Sequence, residues 1–135
     1  MVQVFKLAGA LEEAGNELAR PAGQSSARWQ VLAAVEDGPQ SVAAIARALA
    51  HTRQSVQRIA DRLVDDGLAL YTPNPAHQRA KLLELTPAGR TALRAIQAAQ
   101  VDWARRIADG LAPAELGAAR ATLAELERRL QGRAA

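Results

Sequence analysis

The stretch from Thr52 to Gly67, TRQSVQRIADRLVDDG, constrains this chain most. Val56, Ile59, Ala60 and Leu63 recur at helical spacing and define one apolar stripe. Gln54, Gln57, Arg58 and Asp61 sit on the opposite side, and Arg53 stands at the leading end. A helix with this division seats one face on a core and offers the other to solvent or to a ligand. Amide and guanidinium side chains are the groups that hydrogen-bond base edges and phosphates, so the polar face is a candidate DNA reader. A solvated helix face is the plain alternative. The context on either side discriminates between the two.

Before this stretch, Ser41 caps a short helix carrying Val42, Ile45, Ala46 and Leu49. The break falls at Leu49-Ala50-His51-Thr52, and Thr52 is the expected N-cap of the next helix. Short helix, tight turn and longer amphipathic helix make a helix-turn-helix pattern. Glycine is common in such turns, whereas this chain has Ala50. His51 is read as a partly buried turn residue. Beyond the helix, Gly67 is placed to end it as a left-handed C′ residue. Leu68–Thr72 and Lys81–Leu85 read as two strands joined by the polar loop PNPAHQRA, so a β-hairpin wing follows the helix pair.

The remaining segments are helical. Residues 3–19 keep Val4, Leu7, Leu11, Ala14 and Leu18 on one stripe, and Pro21, Gly23 and the following polar run end the helix. A second helix starts at Ser25 or Ser26, passes through Trp29, Val31, Leu32 and Val35, and stops at Asp37-Gly38-Pro39. Thr86 caps a long helix with Pro87 at its first position, where a missing N–H costs nothing. Leu93, Ile96, Trp103 and Ile107 form its stripe, and it runs to about Gly110. After Pro113, the residues Leu116, Ala119, Leu123, Leu126 and Leu130 mark a last helix. Regular stripes at both ends of a chain fit core packing or a seam with a partner chain.

Charge supports a polyanionic partner. Residues 41–90 carry seven basic and four acidic groups, a net +3, while residues 1–40 carry three and five, a net −2. Fifteen of the 17 basic residues are Arg, whose planar fork suits phosphate and guanine, although a genomic bias towards Arg explains the ratio equally well. With no Cys, thiolate metal sites and thiol-oxidation sensing are excluded. The two His are too few for a His-rich metal cluster. No Gly-rich phosphate loop and no nucleophile–base pattern is present, so neither catalytic residues nor a cofactor are expected. Lys6 breaks the first apolar stretch, and no window is long and apolar enough for a signal peptide or a membrane span. The expected location is cytoplasmic.

On TRQSVQRIADRLVDDGL, the wing NPAHQRAKLLELT and the following LTPAGR, nearly the whole chain resembles the MarR family of bacterial winged-helix regulators. The resemblance implies a mainly α fold with a small β-wing: a winged helix-turn-helix over residues 25–90, flanked by dimerisation helices over 1–24 and 91–135. It implies a homodimer on double-stranded DNA that acts as a ligand-responsive repressor at a near-palindromic operator. Residues like Thr52, Arg53, Gln54, Ser55, Gln57 and Arg58 would enter a major groove, and the wing would reach the adjacent minor groove. Arg79 matches the arginine of the family's Asp-x-Arg wing motif. His77 stands where Asp is usual, so the charge that normally aims the arginine is missing. Arg47 and Arg90 are weaker phosphate candidates, and Asp61 and Arg62 are assigned structural roles, Asp61 within reach of Arg58. Many family members bind small, often aromatic or phenolic anions, which makes Arg28, Trp29 and Trp103 candidates for an effector pocket, with core packing the favoured reading for both Trp. The rival reading is a winged helix that binds a protein partner, or an architectural dimer, without sequence-specific DNA readout.

Overall fold

The structure is a computed structural model and describes residues 1–132. Helices α1 (Val2–Ala19), α2 (Ser26–Ala34), α3 (Val42–Leu49) and α4 (Arg53–Asp65) precede the hairpin strands β2 (Ala69–Thr72) and β3 (Leu82–Leu85). Helices α5 (Pro87–Ile107) and α6 (Pro113–Gln131) follow, and a short strand β1 (Gln40–Ser41) lies between α2 and α3. The chain forms two compact units: Met1–Val101, and a second that begins at Asp102, inside α5.

In the first unit the core is aliphatic, as the scarcity of aromatics requires. Val31 and Leu32 from α2, Val35 just after it, Ile45 from α3, Val56 and Leu63 from α4, Leu83 from β3, and Leu93 and Ile96 from α5 are all almost completely buried. The stripe read on α4 is therefore the face that meets the core, with Ile59 half-buried at its edge. Full burial of a Leu or Val side chain stabilises by about 1.5–3 kcal/mol, so these few residues fix the position of α4.

The sheet has the order β1–β3–β2, all antiparallel, with Tyr71 opposite Leu83 and Gln40 opposite Leu83 on the other side. The first strand was not foreseen from sequence. Two residues directly after Gly-Pro show no alternation, and only the arrival of β3 alongside makes them a strand.

Two helices end in the same way. At α4, Leu68 N donates to Leu63 O at 2.9 Å and Gly67 N to Val64 O at 3.0 Å, with Gly67 left-handed at φ 74°. At α3, His51 N donates to Ala46 O at 2.9 Å and Ala50 N to Arg47 O at 3.3 Å, with Ala50 at φ 54°. Both are Schellman ends, which need a left-handed residue at C′. Gly67 meets that need without strain, whereas Ala50 has a Cβ that the conformation disfavours by about 1–2 kcal/mol. Ala50→Gly should therefore stabilise the fold by about 1 kcal/mol, after allowing for the greater freedom glycine adds to the unfolded chain. A higher urea midpoint at unchanged slope is the expected reading, and a lower midpoint would refute the strain. His51 itself is exposed, which corrects its assignment as partly buried. The C″ position takes its backbone into the cap and turns its side chain outwards, 3.4 Å from Gln30 Oε1.

The corner between wing and α5 is closely packed. Thr86 caps α5 by accepting from Gly89 N at 3.1 Å, and its hydroxyl donates to Gly67 O at 2.7 Å. Thr86 N donates to Leu68 O at 3.1 Å, so the residues ending α4 and those starting α5 are pinned together.

Not all apolar surface is covered. On α1, Val4, Phe5, Leu7 and Leu11 are at least half exposed. In the second unit Leu116, Leu123, Leu126 and Leu130 are exposed as well. No helix among the described residues is long and apolar enough to cross a membrane.

Candidate nucleic-acid interface

Thr52 starts α4. Its Oγ1 accepts from Ser55 N at 3.1 Å, which satisfies one of the free N–H groups of the first turn. Because Val56, Ala60 and Leu63 face the core, helical geometry sends Arg53, Gln54, Gln57 and Arg58 outwards, and all four are exposed. Ser55 is half-buried at the boundary.

The wing stands beside this face. A cleft of about 450 Å³ lies between them, lined by Arg53, Gln57 and Asp61 of α4, Tyr71 of β2 and Arg79 and Lys81 of the wing, together with Ser41–Ala43. Three cations and one carboxylate border this space, so its charge favours an anion. Arg79 has no ion-pair partner among the described residues. The Lys81 ammonium lies 6.0 Å from the centre of the Tyr71 ring.

His77 is exposed and does not line the cleft. What shapes the wing tip is Asn74: its Oδ1 accepts from Ala76 N at 3.0 Å and its carbonyl from His77 N at 3.2 Å. This Asx-type turn organises the tip through hydrogen bonds to its backbone. Asn74 was not singled out from sequence, although an Asn between two prolines is a turn signal.

Asp61 is structural, as expected, but its partner is not Arg58. The Tyr71 hydroxyl donates to Asp61 Oδ1 at 2.5 Å, and Gln57 Nε2 donates to the same oxygen at 2.9 Å and to the Tyr71 hydroxyl at 2.9 Å. Tyr71 was missed in the sequence, because strand pairing alone brings it across to α4. The Tyr71 hydrogen bond first, and the Gln57 amide second, hold the Asp61 carboxyl below its ordinary value of 3.8. Burial first, then the bond and charge of Asp61, push the Tyr71 phenol above its ordinary 10.0. A lowered carboxyl favours the folded tether above its unfolded value and loses that contribution as pH falls through the lowered one. Asp61 should thus titrate below 3.8 by NMR, and Tyr71→Phe should raise its midpoint; an unchanged midpoint would show that the phenol is not the main cause.

Other cationic candidates separate into two kinds. Arg90 donates to Glu36 O at 3.2 Å and so braces α5 against the end of α2, while Arg47 is simply exposed. Arg62 and Arg58 border a second cavity of about 350 Å³, together with Arg28, Ser55 and Ile59.

Of the effector candidates, Trp29 lines a cavity of about 370 Å³ with Leu11, Gly15, Ser26, Gln30, Ala33, Gln97 and Gln100. Arg28 does not join it. Consecutive helical residues point about 100° apart, and Arg28 is held elsewhere, by Asp66 at 2.5 Å and Gln24 at 2.7 Å. Trp103 belongs to the second unit and is half-buried there.

A sequence profile described as MarR family matches residues 23–80, the segment that contains the helix-turn-helix and most of the wing. The chain belongs to the MarR family. An uncharacterized Mycobacterium tuberculosis protein, Rv2011c, is 43% identical to this MarR-family chain over 91% of its length and 86% of the relative's. Among solved structures, the MarR family transcription regulator SP03579 superposes with a TM-score of 0.86 at 24% identity, covering 98% of this chain and 89% of that one. A mutant MarR from E. coli complexed with operator DNA gives 0.83 at 21% identity, over 92% and 90%. CouR from Rhodococcus jostii RHA1, bound to p-coumaroyl-CoA, gives 0.83 at 21%, over 92% and 88%. At these identities the structures establish the fold: mostly helical, with a small antiparallel sheet as the wing.

Proposed function

We propose that this MarR-family chain is a dimeric, sequence-specific DNA-binding transcription regulator. It acts in the cytoplasm as a repressor on a near-palindromic operator and releases it on binding a small aromatic or phenolic effector. The observation that carries the reading is the pairing of an exposed, polar first half of α4 with a cationic wing across one cleft. A helix of this kind is the width of the major groove, and Arg53, Gln54, Gln57 and Arg58 are the side chains positioned to reach base edges. Thr52 and Ser55 at the helix start, and Arg79 and His77 on the wing, complete the contact surface. MarR from E. coli, a neighbour in fold, has been solved on operator DNA.

Dimerisation is supported by the apolar side chains left uncovered on α1 and on α6. Two copies related by a twofold axis would present two α4 helices to half-sites about one helical turn apart, roughly 10 bp. An effector is supported by the Trp29 cavity and by the p-coumaroyl-CoA bound to CouR.

The test is a gel shift with the DNA upstream of the chain's own coding region. Preferential binding over random duplex at moderate salt is expected, with affinity falling steeply as salt rises because Arg and Lys displace counterions from phosphate. Equal binding to both duplexes would overturn sequence-specific regulation. Elution from heparin at low salt would favour a winged helix that binds a protein partner.

A further inference from the structure

The Gln57 amide carries two N–H hydrogens and one acceptor oxygen. One hydrogen goes to Asp61 Oδ1 at 2.9 Å and the other to the Tyr71 hydroxyl at 2.9 Å. Tyr71 spends its own hydrogen on Asp61, so towards Gln57 it only accepts, and an ionised carboxylate only accepts. Both neighbours thus demand a donor, which orients the amide with Nε2 inwards. Gln57 Oε1 has no partner among the described residues, and the side chain is exposed beside the cleft.

We infer that Gln57 reads DNA purely as a hydrogen-bond acceptor, and that Asp61 and Tyr71 are positioning residues that set base preference by occupying its donor. The inference rests on α4 entering the major groove, as proposed above. A free glutamine pairs with adenine through two bonds, accepting from N6 and donating to N7. With the donor occupied, the second bond is lost. The exposed oxygen can still accept from an amino group, which cytosine offers at N4 and adenine at N6. Guanine O6 and thymine O4 are acceptors and meet it oxygen to oxygen. The base facing Gln57 should therefore be cytosine or adenine with little preference between them, and not guanine or thymine.

Selection from a randomised duplex library tests this, with the full chain, Gln57→Ala, and the double variant Asp61→Ala/Tyr71→Phe. The position read by Gln57 is the one whose preference Gln57→Ala erases. In the wild-type chain that position should hold cytosine and adenine within about threefold of each other. The double variant frees both hydrogens and should shift it to adenine by about tenfold, the value of one added base contact. Adenine alone in the wild type, or no position altered by Gln57→Ala, overturns the inference while leaving the regulator reading intact. No enriched sequence at all overturns the regulator reading and this inference with it. Should the double variant fail to fold by circular dichroism, the other two arms still decide.

Discussion

Gly89→Ala should destabilise the fold by at least about 3 kcal/mol, the upper end of what overpacking costs. A Cβ built at Gly89 falls 1.9 Å from Leu68 O and 3.0 Å from Leu68 C, far inside van der Waals contact. The Cβ position is fixed by the backbone and the atoms it meets are backbone, so no rotamer change relieves the clash. The start of α5 would have to lift off the corner that ends α4. That movement would pull on Thr86 N to Leu68 O and on the Thr86 hydroxyl to Gly67 O, two bonds worth about 1 kcal/mol each. The corner also sets where β2 begins, so the wing would move relative to α4 and DNA affinity should fall with stability. Urea unfolding at fixed protein concentration is the measurement, read as a lower midpoint at unchanged slope. Gly117→Ala is the control, because a Cβ there meets nothing within 4 Å. A Gly89→Ala protein as stable as the wild type would mean that the corner is looser than its distances.

The second large effect concerns binding. Replacing Arg53, Gln57 and Arg58 together by Ala should weaken the best operator at least about 100-fold, since one good base contact is worth about 1–3 kcal/mol and 1.4 kcal/mol is tenfold. The three side chains are exposed and the buried stripe Val56, Ala60 and Leu63 is untouched, so the thermal melt should change little. Tyr71 keeps its bond to Asp61 in this variant, which holds the wing to α4. Arg79→Ala should act differently, weakening specific and random duplex alike if it meets the backbone. Unchanged affinity in the triple variant would remove α4 from the role of reader.

Much of the fold was legible because it is local. Ser25, Ser41, Thr52 and Thr86 cap the helices they were assigned to, and each cap involves a side chain and an N–H within three residues. Gly67 is left-handed where a helix stop was read. The apolar stripe of α4 is the buried one, since burial follows the helical period. What was not legible depends on distant segments meeting. β1 exists only because β3 runs beside it, and Gln40-Ser41 alone has no strand character. Asp61 chose Tyr71 over Arg58 because the wing delivers a hydroxyl to the same face, ten residues along the chain. Arg28 and Trp29 are neighbours in sequence, yet one is tied to Asp66 and the other lines a separate cavity.

By itself, then, the sequence determined which residues cap α2 to α5, where α4 stops, which face of α4 is buried, and hence which side chains are offered outwards. Those outcomes follow from hydrogen bonds and periodicities that span one or two turns. By contrast, α2 ends at Ala34, ahead of the Asp37-Gly38-Pro39 stop, and α5 at Ile107, ahead of Gly110. Only the tertiary structure decided what the offered side chains can do. Gln57 keeps or loses its donor according to where β2 places Tyr71, and Arg79 faces a cleft whose other wall is α4. The reason is physical: a hydrogen-bonding group has a fixed number of donors and acceptors, and folding spends some of them on neighbours that no local pattern announces.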